Sequence, residues 1–354
     1  MILRHENLEK LLEKFPIADF DVENLAHLDL LHQLSVAEIG KNKGKLSNLP
    51  PLEKHPYLQQ LNVNADLKGL MIGTLPPITY LADKFELPKL SYGSQRFLER
   101  PEIPYFHGNR GSFWKFSPFN FDAIINHSIR EEKPLMISDN LASYKIAYTD
   151  MIQYCQRSFA VKKKETIDKY PADDVCLNNI SLNNNVYDFL LNNTSLDRLY
   201  FTNSYAFGMG DSFFTAKGMY QLKKRDAFQL FLKGANLKGI TIDISLPDNV
   251  NWLNINEAQR SRQELKSINE LLRAKVVLKM RLTKNNTVKV FDVISSVSPS
   301  AIGGTRTTSQ LNSCVIKYSD GNNVDIKDSS EGLIRQSLKA FFNGDVKSLI
   351  KYNA

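Results

Sequence analysis

Two short apolar runs that stop abruptly at loop-forming residues constrain this chain more than any other feature. Leu67-Lys68-Gly69-Leu70-Met71-Ile72 ends at Gly73-Thr74-Leu75-Pro76-Pro77, and the run from Val288 to Val297 ends at Ser298-Pro299-Ser300-Ala301-Ile302-Gly303-Gly304-Thr305-Arg306. Apolar runs bounded by Gly and Pro read as strands that close in tight turns. Leu196 to Thr202 reads as a further strand, stopped by Asn203 and Ser204. Helical periodicity covers Phe119 to Arg130, Gly332 to Phe342, and a segment from Asn256, a candidate N-cap, to about Ala274. Val276 to Leu282, a Thr283-Lys284-Asn285-Asn286-Thr287 turn and the Val288 run form a hairpin. Strands alternating with helices predict an α/β domain. Ligands of open α/β sheets gather at the carboxyl ends of the strands, so the two loops are expected on one edge of one cleft.

The chain has 354 residues, 42% of them hydrophobic and 23% charged, which excludes collagen, coiled coil and wholesale disorder. At about 150 residues per domain the length fits two domains or one large domain with insertions. The patterning favours the second. Leu8, Leu11, Leu12 and Phe15 repeat at helical spacing, as do Leu25, Leu28, Leu31 and Leu34, and Lys41 to Pro56 reads as a loop. Residues 1–65 are thus expected to be a helical N-terminal extension, and 66–354 the α/β domain.

Lys and Arg number 45 against 38 Asp and Glu, a formal charge of +7. The excess is concentrated: residues 212–290 hold 15 basic and 6 acidic side chains. This segment is expected to be an inserted basic helix and hairpin. Its field attracts polyanions if the charges face outward, and otherwise it is an ordinary solvated face, as is Lys162-Lys163-Lys164.

Cys155, Cys176 and Cys314 are odd in number and far apart, so they make neither a disulfide framework nor a four-thiolate metal site alone. The expected compartment is the reducing cytoplasm. Met1-Ile2-Leu3-Arg4-His5-Glu6 runs into a charged amphipathic pattern without the apolar core of a leader, and no apolar stretch approaches the roughly 18 residues of a spanning helix. No membrane partner is expected.

Several segments carry a family likeness. Met71-Ile72-Gly73-Thr74-Leu75-Pro76-Pro77, followed by Pro104-Tyr105-Phe106-His107-Gly108-Asn109-Arg110-Gly111-Ser112-Phe113-Trp114-Lys115, resembles the opening of the uracil-DNA glycosylase superfamily. Within it the likeness is to the branch containing hypoxanthine-DNA glycosylases, where a strand ending Gly-Ser-Phe-Pro precedes an aromatic-Gly stretch and Asn-x-Phe-Trp. Lys145-Ile146-Ala147-Tyr148-Thr149-Asp150 is similar to that branch's Gly-Ile-Ala-x-x-Asp, with Cys155-Gln156-Arg157 behind it. Leu199-Tyr200-Phe201-Thr202-Asn203 resembles its central strand, and Ser298-Pro299-Ser300 stands where its Pro-Ser-Pro-type loop falls. The pieces span roughly residues 66–345 in order.

The resemblance implies a three-layer α/β/α fold and a monofunctional DNA glycosylase with DNA as partner, water as nucleophile, and neither metal nor organic cofactor. Such an enzyme extrudes a damaged or modified base from the stack and stabilises an oxocarbenium-like sugar as the N-glycosidic bond breaks. The implied base pocket is Gly73, Thr74, Leu75, Pro76, Pro77, Tyr105, Phe106 and Asn203, with Tyr105 or Phe106 stacking on the base. Ser298, Ser300, Gly303, Gly304, Thr305, Arg306 and Thr307 are the implied DNA contacts, with Ile302 or Arg306 entering the gap left by the base.

The chain departs from the family at the catalytic group. Many members carry Asn or Asp in the first loop, where this chain has Thr74, Leu75, Pro76, Pro77, Ile78 and Thr79. Gly111 occupies the place of the branch's working Asn, so Asn109 is the replacement candidate, with His107 and Asp83 behind it. The same departure admits a second reading, a catalytically silent protein of this fold that binds nucleic acid or a modified base. Phe113, Trp114 and Phe116 read as core aromatics, and Asp150 with Arg157 as a structural pair near a helix start.

Overall fold

The computed structural model describes residues 6–41, 51–75, 101–107, 113–157, 177–202, 227–255, 276–295 and 326–352. In chain order the described elements begin with α1 (Glu6–Lys14), α2 (Leu25–Lys41), β1 (Leu52–Lys54), β2 (Gly69–Gly73), α3 (Phe121–Ile125), α4 (Lys133–Ser143), β3 (Ile146–Asp150) and β4 (Ile152–Arg157). They continue with β5 (Leu177–Leu182), α5 (Asn185–Asn192), β6 (Arg198–Phe201), α6 (Ala227–Leu237), β7 (Thr241–Leu246), β8 (Asn249–Asn254), β9 (Val277–Lys284), β10 (Thr287–Ser295) and α7 (Ile326–Asn343). The chain divides into two compact units, residues 1–58, 75–110 and 152–183 in one and 59–74, 111–151 and 184–354 in the other. The N-terminal helices therefore do not stand apart as residues 1–65: two later segments join them.

The first unit holds α1, α2 and an antiparallel sheet ordered β1-β4-β5. Its core is Leu8 and Leu11 from α1, Leu28 and Leu31 from α2, Leu52 and Tyr154. The expected α2 stripe is only half right, because Leu25 and Leu34 are exposed along with Leu30. Residues spaced by three slip about 60° per step on a helix of 3.6 residues per turn, so a long i+3 run leaves the buried face. The face that is buried is Leu28, Leu31, His32 and Ser35.

The two polar members of that face act on β1, a strand in what the composition reads as a loop. His32 Nδ1 donates to the Leu52 carbonyl (2.7 Å), and Ser35 Oγ accepts from the Leu52 N–H (3.2 Å). Both main-chain groups that Leu52 turns away from β4 are thereby satisfied. Asp29, also on α2, accepts from Lys54 Nζ (2.5 Å) and the Tyr154 hydroxyl (2.6 Å). Burial works to raise the Asp29 pKa, but these two donors outweigh it and hold the carboxyl below the ordinary carboxylate value. Burial and the Asp29 contact push the Tyr154 phenol up.

The second unit is built on a seven-stranded sheet ordered β3-β2-β6-β10-β9-β7-β8. The pairs β3–β2, β2–β6 and β6–β10 are parallel, and the remaining pairs are antiparallel. β2 is buried throughout, as its unbroken apolar run requires of a central parallel strand. Neighbouring residues on β6 pack in opposite directions. Tyr200 meets Phe113 and Phe341 of α7, while Phe201 meets Phe228 and Phe231 of α6. Because side chains alternate along a strand, helices cover both faces of the sheet at β6.

Two expectations change here. The helix expected over Phe119 to Arg130 is the short α3, capped by Asn120, whose side chain accepts from the Ala123 N–H (3.3 Å). A separate helix, α4, follows, with Pro134 in its first turn, where a missing N–H costs nothing. The segment 212–290, expected to hold a helix and hairpin, also supplies β7 and β8, and with β9 and the start of β10 these belong to the one sheet. The hairpin turn is Asn285-Asn286, with Asn285 at φ 52°, a left-handed conformation that Asn tolerates. The helix expected from Asn256 lies outside the described residues.

Candidate functional site

The carboxyl ends of the four parallel strands lie along one sheet edge, marked by Asp150 on β3, Gly73 on β2, Thr202 just past β6 and Ser295 on β10. β2 is followed by β3 on one side, and β6 by β10 on the other. The direction of winding reverses between β2 and β6, and this is where open α/β sheets leave a crevice for ligand.

Gly73 lies in register with Asp150. The Met151 N–H donates to the Gly73 carbonyl (2.9 Å), and the Thr202 N–H donates to the Ile72 carbonyl (3.0 Å). Tyr148 and Asp150, two apart on β3, share a face, and the Tyr148 hydroxyl donates to Asp150 Oδ1 (3.3 Å). A Cβ at position 73 would overlap that oxygen and that hydroxyl, and would come within 3.2 Å of Thr202 Oγ1. Glycine is required here by the close approach of the main chain to this polar cluster. Asp150 is 3% exposed and Thr202 1%. A carboxylate so far from water is costly unless hydrogen-bonded, and the Tyr148 hydroxyl supplies one donor. The arrangement places a carboxyl group and two hydroxyls, from Tyr148 and Thr202, around Gly73 at the carboxyl edge of the sheet.

Of the expected base-pocket residues, Gly73 and Thr74 belong to the second unit, and Leu75, Tyr105 and Phe106 to the first. Phe106 is not a free stacking platform. It is 3% exposed and packs against His55 (5.3 Å), Tyr57 (5.8 Å) and Tyr105 (4.9 Å), so its face is spent on its own neighbours. Tyr105 is half-buried. His107, also half-buried and in the first unit, has φ 54°, a left-handed conformation unusual outside glycine. Pro76, Pro77, Asp83, Asn109, Asn203, Ser298, Ser300, Gly303, Gly304, Thr305, Arg306 and Thr307 lie outside the described residues. Asn203 follows Thr202 directly, and Ser298 comes three positions after Ser295.

Asp150 and Arg157 end the strands β3 and β4 rather than flanking a helix start. Phe113, Trp114 and Phe116 are buried core aromatics, as expected. The basic hairpin is partly neutralised from within. Arg281 pairs with Asp243 through Nε (2.9 Å) and Nη2 (2.8 Å), and stacks over Trp252 at 4.6 Å. Lys279 pairs with Asp292 (2.5 Å), and Lys289 donates to the Asn193 carbonyl (3.1 Å). These three cations are paired within the fold.

Asp150, Tyr148 and Thr202 are the site residues that pattern reading passes over. Their signal lay in the segment ending at Asp150 and in the strand ending at Thr202, but the cross-strand register that unites them is non-local. Among the described residues no group of three or more His, Cys, Asp or Glu side chains is arranged to hold a metal ion, and no helix is long and apolar enough to cross a membrane. Comparison with protein-family models, curated proteins and solved structures finds no match.

Proposed function

We propose that this chain is a monofunctional DNA glycosylase that hydrolyses the N-glycosidic bond of a flipped damaged or modified base, on a three-layer fold of the uracil-DNA glycosylase kind. One observation carries the reading. The parallel strands β3-β2-β6-β10 end on a single edge, and their winding reverses between Gly73 and Thr202, which lie in two of the segments of the resemblance. Ser295 is two strands from β2, about 10 Å at normal strand spacing, and the chain runs from it into Ser298-Pro299-Ser300. Lys145 adds support. It stands where the related branch carries Gly, and it has φ 55°, the left-handed region that favours glycine.

A second reading, a silent reader of nucleic acid or modified bases on the same fold, draws on the first loop's lack of Asn or Asp. Incubation with duplexes bearing uracil, hypoxanthine, xanthine or bulky modified pyrimidines, followed by alkali, separates the two. Strand breaks at the modified position support the glycosylase. Salt-sensitive binding without breaks supports the reader, and neither binding nor breaks refutes both.

A further inference from the structure

We infer that the catalytic group missing from the first loop is supplied by the neighbouring strand: Asp150 is the carboxylate that activates the attacking water. The inference rests on the glycosylase reading above and adds to it the identity of the reacting side chain. None of Thr74, Leu75, Pro76, Pro77, Ile78 and Thr79 can take up a proton from water near neutral pH. Asp150 stands in register with the last residue before that loop and directly across from it. Glycine at position 73 lets the Asp150 oxygen lie against the β2 main chain at the entry to that loop, where any Cβ would collide with it. Tyr148 fixes the carboxylate from below through its hydroxyl (3.3 Å). The group lies on β3, one strand from the winding reversal and in register with Gly73, and it is nearly excluded from bulk water. Charge-based stabilisation of a cationic transition state is strongest in such surroundings.

The step balances as a hydrolysis. The C1′–N bond breaks and its electron pair leaves with the base. The water oxygen bonds to C1′, and the proton it loses passes to an Asp150 oxygen. That proton returns through solvent to the departed base, so the products are free base and an abasic sugar. While the sugar carries positive charge, the same carboxylate stabilises it electrostatically.

The test uses the full chain and, from the uracil, hypoxanthine, xanthine and modified-pyrimidine duplexes, one that the unaltered protein cuts. Asp150→Asn keeps the shape and removes the charge. It is expected to lower kcat at least 100-fold and leave KM within about threefold, as loss of a group that acts only in the transition state does. Asp150→Ala with added formate is expected to recover at least tenfold of the lost rate, a rescue that a merely structural aspartate does not give. Should the aspartate variants fail to fold, Tyr148→Phe leaves the carboxylate in place and removes its hydroxyl support, with an expected three- to tenfold fall in kcat at unchanged KM. Wild-type turnover in a folded Asp150→Asn, or in Tyr148→Phe, overturns the inference while leaving the glycosylase reading intact. Absence of cutting by the unaltered protein on every duplex overturns both.

Discussion

Gly73→Ala is the perturbation that separates a built site from a plain strand end. Gly73 is not in the left-handed region, so backbone entropy alone makes alanine stabilising there by about 0.4–1 kcal/mol. Packing opposes this. The new methyl group overlaps Asp150 Oδ1 and the Tyr148 hydroxyl and crowds Thr202 Oγ1, all on buried or nearly buried side chains. Overpacking costs about 1–3 kcal/mol, and displacing the Tyr148–Asp150 hydrogen bond adds about 1–3 kcal/mol for the polar groups left unsatisfied. The net expectation is a loss of about 1–6 kcal/mol, or roughly 2–24 °C in the unfolding temperature of the unit at about 2–4 °C per kcal/mol. Scanning calorimetry on the single variants and on Gly73→Ala with Tyr148→Phe completes a double-mutant cycle. Removing the hydroxyl relieves one of the two overlaps, so a favourable coupling of about 0.5–3 kcal/mol is expected. A Gly73→Ala protein as stable as its parent, with additive double-variant energies, refutes the close approach of β2 to the β3 side chains.

Two further outcomes follow from local geometry. Lys145→Gly relieves a left-handed non-glycine residue just after α4 and forfeits only an exposed pair with Asp66, so a gain of about 0.5–1.5 kcal/mol is expected in chemical denaturation; a loss would show that the Asp66 contact outweighs backbone strain. Asp29 has its pKa held below the ordinary 3.8, so its stabilising effect is fully present above that value and fades as pH falls through the folded-state pKa. The stability difference between wild type and Asp29→Asn is thus expected to shrink as pH falls below 3.8. The pair is too exposed for more than about 1 kcal/mol, and a difference that stays constant across that range speaks against the reading.

Whatever is written in short-range pattern was legible from the residues. The unbroken apolar run into Gly73, the hairpin about Asn285-Asn286, the strand before Thr202 and the terminal helix holding Phe341 are each set by neighbours within a few positions, and each is present. The core role of Phe113, Trp114 and Phe116 followed from aromatic size alone. What depends on distant partners was not legible. Leu25 and Leu34 look like Leu28 and Leu31 until β1 arrives to cover only one side of α2. Phe106 offers the same ring to a base or to His55 and Tyr57, and packing chose the second. Arg281 and Lys279 contribute to a charge count whether or not Asp243 and Asp292 neutralise them.

The chain by itself determined where β2, β6, the β9–β10 hairpin and α7 form and that β2 ends in glycine, because main-chain preference and side-chain periodicity act over one turn or one pleat. Tertiary structure alone decided the order β3-β2-β6-β10, and with it that Asp150 and Tyr148 face Gly73 across a strand boundary. Strand order is settled by how whole apolar faces share a core, a choice that no local stretch of sequence encodes.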